Sequence, residues 1–245
     1  MGELIAVLSG KGGTGKTSVC AAVATALAES GARVLCIDCD VGLRNLDISL
    51  GLSENGSLSF MDVCSGDYRL DQAACHPVYP KLFFLTAPVR GCADSVDLQV
   101  FGDMLRQARD DFDYVFLDAP AGIDAGFRLA ACYADRILLV AGADPASIRD
   151  AARAGEMLER MGKHNVRLVV NRVNKKLFSS ISVTVDDVMD DTGLPLLGVV
   201  PEDPNVILAA AFGKTLLQMG NRGAAKACRC IAKRIQGIPV PISIR

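Results

Sequence analysis

The sequence predicts a three-layer α/β fold, a mostly parallel central sheet with helices on both faces. Three observations predict it. Short apolar runs alternate with helical stretches, the pattern of strands buried on both sides and joined by crossover helices. Residues 10–18, GKGGTGKTS, fit G-x-x-x-x-G-K-[ST] and lie between an apolar run and a helical stretch, the context that gives this pattern its chemistry. Polar residues stand at the carboxyl ends of the apolar runs, where open α/β sheets bind ligands. Together they make the expected fold that of a P-loop NTPase.

The elements follow in order. Leu4–Leu8 is the strand that delivers the loop. Gly12, Gly13 and Gly15 let the backbone wrap closely around a polyphosphate with its N–H groups turned inward. Lys16 supplies positive charge to the β- and γ-phosphates, and the Thr17 hydroxyl can ligate Mg²⁺. Gly10, Thr14 and Ser18 complete the loop, and a second lysine, Lys11, follows its first glycine. This is a site for a nucleoside triphosphate. The helix from Lys16 to Ser30 places Val19, Ala22, Val23, Ala26 and Leu27 on one face, with Gly31 set to end it. Further strands are expected at Val34–Asp38, Leu82–Thr86, Tyr114–Asp118, Ile137–Ala141, Val166–Asn171 and Leu196–Val200, while 41–80 reads as short helices and loops. Asp144-Pro145 opens another helix as N-cap and first helical residue, ending before Gly162. Ile148, Ala151, Ala152, Gly155 and Leu158 would face inward, and Arg149, Arg153, Glu156 and Arg160 outward. No internal repeat or low-complexity linker divides the chain, so 1–245 reads as a single domain.

Composition agrees. The 245 residues carry 26 basic and 28 acidic side chains, a balance that gives no global argument for nucleic acid or acidic lipid. A chain of this size buries enough surface to need no disulfide or metal staple. Several of the nine cysteines (Cys20, Cys36, Cys39, Cys64, Cys75, Cys92, Cys132, Cys228 and Cys230) sit in apolar runs, as expected of reduced core thiols. The first apolar run is short and leads straight into the loop, unlike a signal peptide. No run reaches the ~18 apolar residues that span a bilayer. A soluble, cytosolic protein is expected.

A parallel sheet would gather the strand ends along one edge: the loop, Asp38-Cys39-Asp40, Asp118, Asn171-Arg172 and Pro201-Glu202-Asp203. Asp118 stands where a carboxylate holds Mg²⁺, usually through water, opposite Thr17; the alternative is a buried strand-end Asp that caps a helix. Asp38 and Asp40 could divide the work, one near the metal and one orienting water. Two carboxylates beside a triphosphate repel it unless Mg²⁺ intervenes, so they presuppose the ion. The Asn171 amide has the donor and acceptor needed to read an adenine edge, although Asn at a strand end is also common on surfaces.

The stretches GKGGTGKTS (10–18), DCDVGLRNLD (38–47), DYVFLDAPAGID (113–124), DPASIRDAAR (144–153), VVNRV (169–173) and GVVPED (198–203) together resemble the MinD/ParA family of deviant Walker-A ATPases, in the family's order and over nearly the whole chain. GLRNLD is the most specific of them. The resemblance implies a homodimer formed on ATP binding, with Lys11 reaching the partner's phosphates while Lys16 and Thr17 keep the ordinary loop roles. It implies that Asp40 positions the attacking water, that Asp38 and Asp118 join Thr17 in the Mg²⁺ shell, and that Asn171 and Pro201–Asp203 hold the adenine, with Arg172 among the residues that bind the nucleotide. Hydrolysis to ADP would remove the ligand of Lys11 and loosen the dimer.

The implied role is an ATP-driven switch in the spatial regulation of cell division. A ParA-type partition ATPase and a flagellar-number regulator are the alternatives, followed by an iron–sulfur scaffold ATPase, for which Cys228-Arg229-Cys230 is the suggestive pair. Regulators of the MinC and MinE type would meet the 144–161 helix through Arg149, Asp150 and Arg153, unless that is simply a solvated face. No sequence-specific nucleic acid partner is implied. The implied location is cytoplasmic or peripheral at the inner face of the cell membrane. Family members usually end in a separate amphipathic membrane helix. Here Ala224–Gln236 corresponds better to the last helix of the folded domain, with only GIPVPISIR after it, so membrane association stays open.

Overall fold

The computed structural model describes residues 1–41, 44–53, 56–88, 96–174 and 184–242. Gly42 and Leu43 of the GLRNLD run, and Cys92, lie outside them. Eight strands form one sheet: β1 (Glu3–Leu8), β2 (Val34–Asp38), β3 (Ala74–Cys75), β4 (Leu82–Leu85), β5 (Tyr114–Asp118), β6 (Arg136–Ala141), β7 (Val166–Val173) and β8 (Leu196–Pro201). Their spatial order is β3-β4-β2-β5-β1-β6-β7-β8. All seven strands expected from the apolar runs are present, and every pairing among them is parallel. The addition is β3, antiparallel to β4. Two residues are too few to show a period, and this short strand closes one edge of the sheet.

Alternation along the strands divides the core in two. Leu4, Ala6, Leu8, Leu35, Ile37 and Leu117 face one layer, covered by α4 (Leu98–Asp111), α5 (Ala125–Tyr133), α6 (Pro145–Arg160) and α7 (Val185–Thr192). Ile5, Val7, Val34, Cys36, Phe116 and Leu138 face the other, covered by α1 (Lys16–Glu29), α2 (Leu46–Leu50) and α9 (Gly223–Ile235). Among the described residues, the other α-helices are α3 (Phe60–Cys64) and α8 (Asn205–Ala211).

The single apolar face expected of α1 needs correcting. Every residue from Val19 to Ala28 is buried, because α9 and α2 pack on the side away from the sheet. A helix covered all round has no polar stripe to reveal, and its alanines allow the close approach. Gly31, with φ of 102°, follows its C-cap as expected.

In α6 the Asp144 carboxylate accepts the Ser147 N–H and Pro145 takes the first turn. Ile148, Ala151, Ala154 and Leu158 are buried, Ala152 and Gly155 half-buried, and Arg149, Arg153, Glu156 and Arg160 exposed. The expected last helix is α9, seated on α1 and β8. Ala224, Cys228, Ile231 and Ile235 are buried, and Gly198 of β8 allows the contact, since a Cβ there would lie 2.5 Å from Ile231. Arg229 of α9 is tied to Glu29 of α1 at 2.6 Å. Among the described residues, no helix is long and apolar enough to cross a membrane.

Candidate nucleotide site

The loop leaves β1 at Leu8 and enters α1 at Lys16. Two of its glycines are required by what presses against them. A Cβ on Gly10 would lie 2.2 Å from the Asp150 carbonyl oxygen of α6, and one on Gly15 would lie 2.3 Å from Asn171 Nδ2. Gly15 also has φ of 82° and is the N-cap of α1, with no side chain capping the helix and no acidic residue in its first turn. The N–H groups and positive dipole end of α1 are thus free to meet an anion. The Thr14 hydroxyl is buried and finds no hydrogen-bond partner among the described residues, a polar group suited to a ligand oxygen.

Lys16 Nζ lies 2.7 Å from Asp118 Oδ1 and 3.2 Å from Thr17 Oγ1; the two charged side chains are only 7% and 2% exposed. Burial pushes the Asp118 carboxyl up from its usual range, and the neighbouring Lys16 ammonium draws it back down. Asp38 pairs in register with Asp118 across β2 and β5. Burial, and next the Asp118 charge, push Asp38 up to about 6.

The helix-anchoring role, the alternative for Asp118, falls to Asp38. Its Oδ2 accepts the N–H groups of Asn45 and Leu46 at the start of α2, both at 3.1 Å, and its Oδ1 accepts Asp40 N–H at 2.9 Å. A carboxylate has about four acceptor positions, so one remains for a water. Asp40, held by this turn, is half-buried; burial raises its carboxyl and Lys16 lowers it. Among the described residues, no three His, Cys, Asp or Glu side chains stand together as a metal cage. The donor set of Thr17, Asp118 and Asp38 fits Mg²⁺, which keeps most of its waters and leans on one or two carboxylates and substrate phosphates.

Beside the loop opens a mainly apolar cavity of about 600 Å³ whose walls include Val19, Asn171, Val200, Pro201, Leu216 and Cys228, a size that takes a nucleoside. Arg172, Glu202 and Asp203 line it too, so all five residues expected from the ends of β7 and β8 are at this cavity. Val19, Leu216 and Cys228 were not singled out for this role, because in sequence they look like any core residue. The polar residues expected at this rim are partly engaged elsewhere. Asn171 Nδ2 donates to the Thr14 carbonyl at 2.7 Å, and Arg172 Nη1 to the Gly13 carbonyl at 3.0 Å. Asp203 accepts Asn205 N–H at 2.9 Å and Ala224 N–H at 3.0 Å, anchoring the starts of α8 and α9. Glu202 is exposed and accepts from Asn174 at 3.1 Å.

On the other side of the loop Lys11 is 44% exposed and 3.5 Å from Asp144 Oδ1, itself 56% exposed. Burial tends to raise the Asp144 carboxyl, but the Ser147 N–H and the Lys11 ammonium outweigh it and hold it below the ordinary range. Lys11, Thr14, Asp144, Ser147 and Arg172 help line a second cavity of about 350 Å³. It adjoins the first turn of α6, whose Arg149 and Arg153 project outward.

Residues 5–216 match the CobQ/CobB/MinD/ParA nucleotide binding domain family. The septum site-determining protein MinD of Synechocystis sp. is 34% identical over 244 residues, covering 98% of this chain and 92% of that protein. Among solved structures, the MinC:MinD cell division protein complex of Aquifex aeolicus is similar with a TM-score of 0.91 and 32% identity over 98% of each chain. MinD of Pyrococcus horikoshii, complexed with Mg-ADP, gives 0.83 and 26% over 96% of each chain.

Proposed function

This chain belongs to the MinD/ParA family of deviant Walker-A P-loop ATPases, and from that premise we propose that it is an ATP-driven dimerisation switch regulating where a cell divides. It binds ATP and ADP with Mg²⁺ and hydrolyses ATP. The observation that carries the switch reading is the division of labour on the loop: one lysine is buried beside Asp118, and another lies exposed at the loop's outer side. Residues 1–245 act as one ATPase unit.

The chemistry of the chain's own residues follows from this. Lys16 exchanges Asp118 for the β- and γ-phosphate oxygens, keeping a buried charge compensated. The α1 N-terminus and the loop N–H groups add stabilisation that needs no rearrangement. Mg²⁺, held by Thr17 and through water by Asp118 and Asp38, would neutralise charge on the phosphates. Asp40, set by the Asp38 turn, orients the attacking water. Lys11 leaves Asp144 to reach the triphosphate of a second copy, an exchange that costs little because the Lys11–Asp144 pair is exposed. Loss of the γ-phosphate withdraws its ligand and the dimer opens.

The protein is cytoplasmic or peripheral at the membrane, and the α6 face with Arg149, Asp150 and Arg153 receives regulators of the MinC and MinE type. The Aquifex relative's complex with MinC supports the first of these. Light scattering of the purified protein tests the switch. Mg-ATP should give a dimer and Mg-ADP a monomer, and Asp40→Ala should hold the ATP dimer for much longer than the parent chain. A dimer that ignores the nucleotide would end this reading.

A further inference from the structure

Successive side chains of a regular strand point to opposite faces, yet Asn171 and Arg172 of β7 both reach the same loop. A bulge allows it. Val170 pairs with Val199 and Val173 with Pro201, so three steps along β7 face two along β8. Arg172 sits in the extra stretch with φ of 56°, a left-handed conformation that glycine adopts more easily. A side chain held there against its local preference points to surroundings that enforce the conformation, and such positions cluster at ligand sites.

The two bonds have a common purpose. A loop that binds phosphate through its N–H groups must keep its carbonyl oxygens off the anion. Gly13 and Thr14 lie just ahead of α1, outside any regular element, so no helix or sheet ladder takes up their carbonyls. Asn171 takes the Thr14 oxygen at 2.7 Å and Arg172 the Gly13 oxygen at 3.0 Å. Asn171 is buried and stands so close to the loop that Gly15 has no room for a Cβ. Arg172 is exposed and borders both the nucleoside cavity and the Lys11 cavity.

We propose that Asn171 and Arg172 form a two-pronged brace that holds the Gly13 and Thr14 carbonyls away from the phosphates, so that both are positioning residues for the triphosphate, with Arg172 acting on the phosphates rather than on the base. The proposal rests on the reading of the loop as an ATP site. It goes beyond the base-holding role that the family resemblance implies for Asn171.

Displacement of a fluorescent ATP analogue by ATP and by inorganic tripolyphosphate, with Mg²⁺ present, separates the two roles. Arg172→Gly suits the left-handed backbone and leaves the Gly13 carbonyl to water, so the variant should melt no lower than the parent chain. It should weaken ATP and tripolyphosphate by the same factor, about tenfold, the loss of one charge-assisted hydrogen bond. In turnover KM should rise by more than kcat falls, and Arg172→Lys should recover part of the loss. Asn171→Asp, isosteric but without the donor, should again weaken both competitors alike. Weaker ATP with unchanged tripolyphosphate would make the pair base readers and overturn the brace, as would unchanged binding of both. A parent chain that bound neither competitor would end the ATP reading itself.

Discussion

Lys16 and Lys11 leave the same loop and finish in opposite surroundings. Lys16 is buried against a buried carboxylate at 2.7 Å, whereas Lys11 shares an exposed, 3.5 Å contact with the cap of a helix. Charge and residue type are the same, so the difference comes from desolvation. A buried pair is committed, because removing either partner strands the other in a medium that cannot solvate it. An exposed pair is nearly neutral in energy and can be exchanged for a better partner. One side of the loop is built to grip and the other to let go.

The largest effects should come from the gripping side. Asp118→Ala leaves the Lys16 ammonium buried and unpaired and should cost about 3–5 kcal/mol, seen as a lower urea midpoint. Lys16→Ala should weaken ATP binding by at least about a hundredfold in a calorimetric titration, the loss of a buried charge contact of about 3 kcal/mol. An equal loss on replacing Lys11 would erase the contrast between the two sides.

Lys11→Ala should sharpen it instead. The thermal midpoint should hardly move, since an exposed pair is worth less than about 1 kcal/mol. Binding of ATP to the monomer should stay within a few-fold, while the ATP dimer disappears from light scattering.

The smallest effect concerns a buried histidine that fastens α2, the helix anchored by Asp38. His76 Nε2 meets the Leu50 carbonyl at 2.9 Å, and its Nδ1 accepts the N–H groups of Val78 and Tyr79 at 3.0 and 3.2 Å. Those partners place the ring proton on Nε2. Burial lowers the His76 pKa, against the opposing effect of the Leu50 carbonyl. The stability it contributes is therefore complete above the ordinary histidine value of about 6.5 and is lost as pH falls through the lowered one. Urea unfolding between pH 7 and 5 should show this acid loss, and His76→Gln should flatten it.

The parts of the site legible in the sequence were those whose chemistry is local. GKGGTGKTS announces a phosphate loop because glycine geometry, a lysine and a hydroxyl are written in consecutive residues. The apolar run ending in Asp118 announces a strand with a carboxylate at its ligand-binding end. Asp38 could be placed on the same edge, but not its grip on α2, since the N–H groups it accepts belong to Asn45 and Leu46 beyond a turn. Asn171-Arg172 reads as an ordinary strand end, and nothing in VVNRV marks the bulge that turns both side chains to one side. Val19, Leu216 and Cys228 are spaced like core residues, and in α1 the burial of every side leaves no stripe to read.

By itself the sequence determined the order of strands and helices, the anion-binding loop and the set of carboxylates around it, because backbone geometry and hydrophobic period act over a few residues at a time. Only the tertiary structure decided which charge meets which. Lys16 and Asp118 are 102 residues apart in the chain, and Lys11 and Asp144 are 133 apart. Whether such a pair is buried or wet depends on how β5, β6 and α6 pack around β1. Desolvation, which separates a committed lysine from a movable one, belongs to the assembled neighbourhood and to no single stretch of residues.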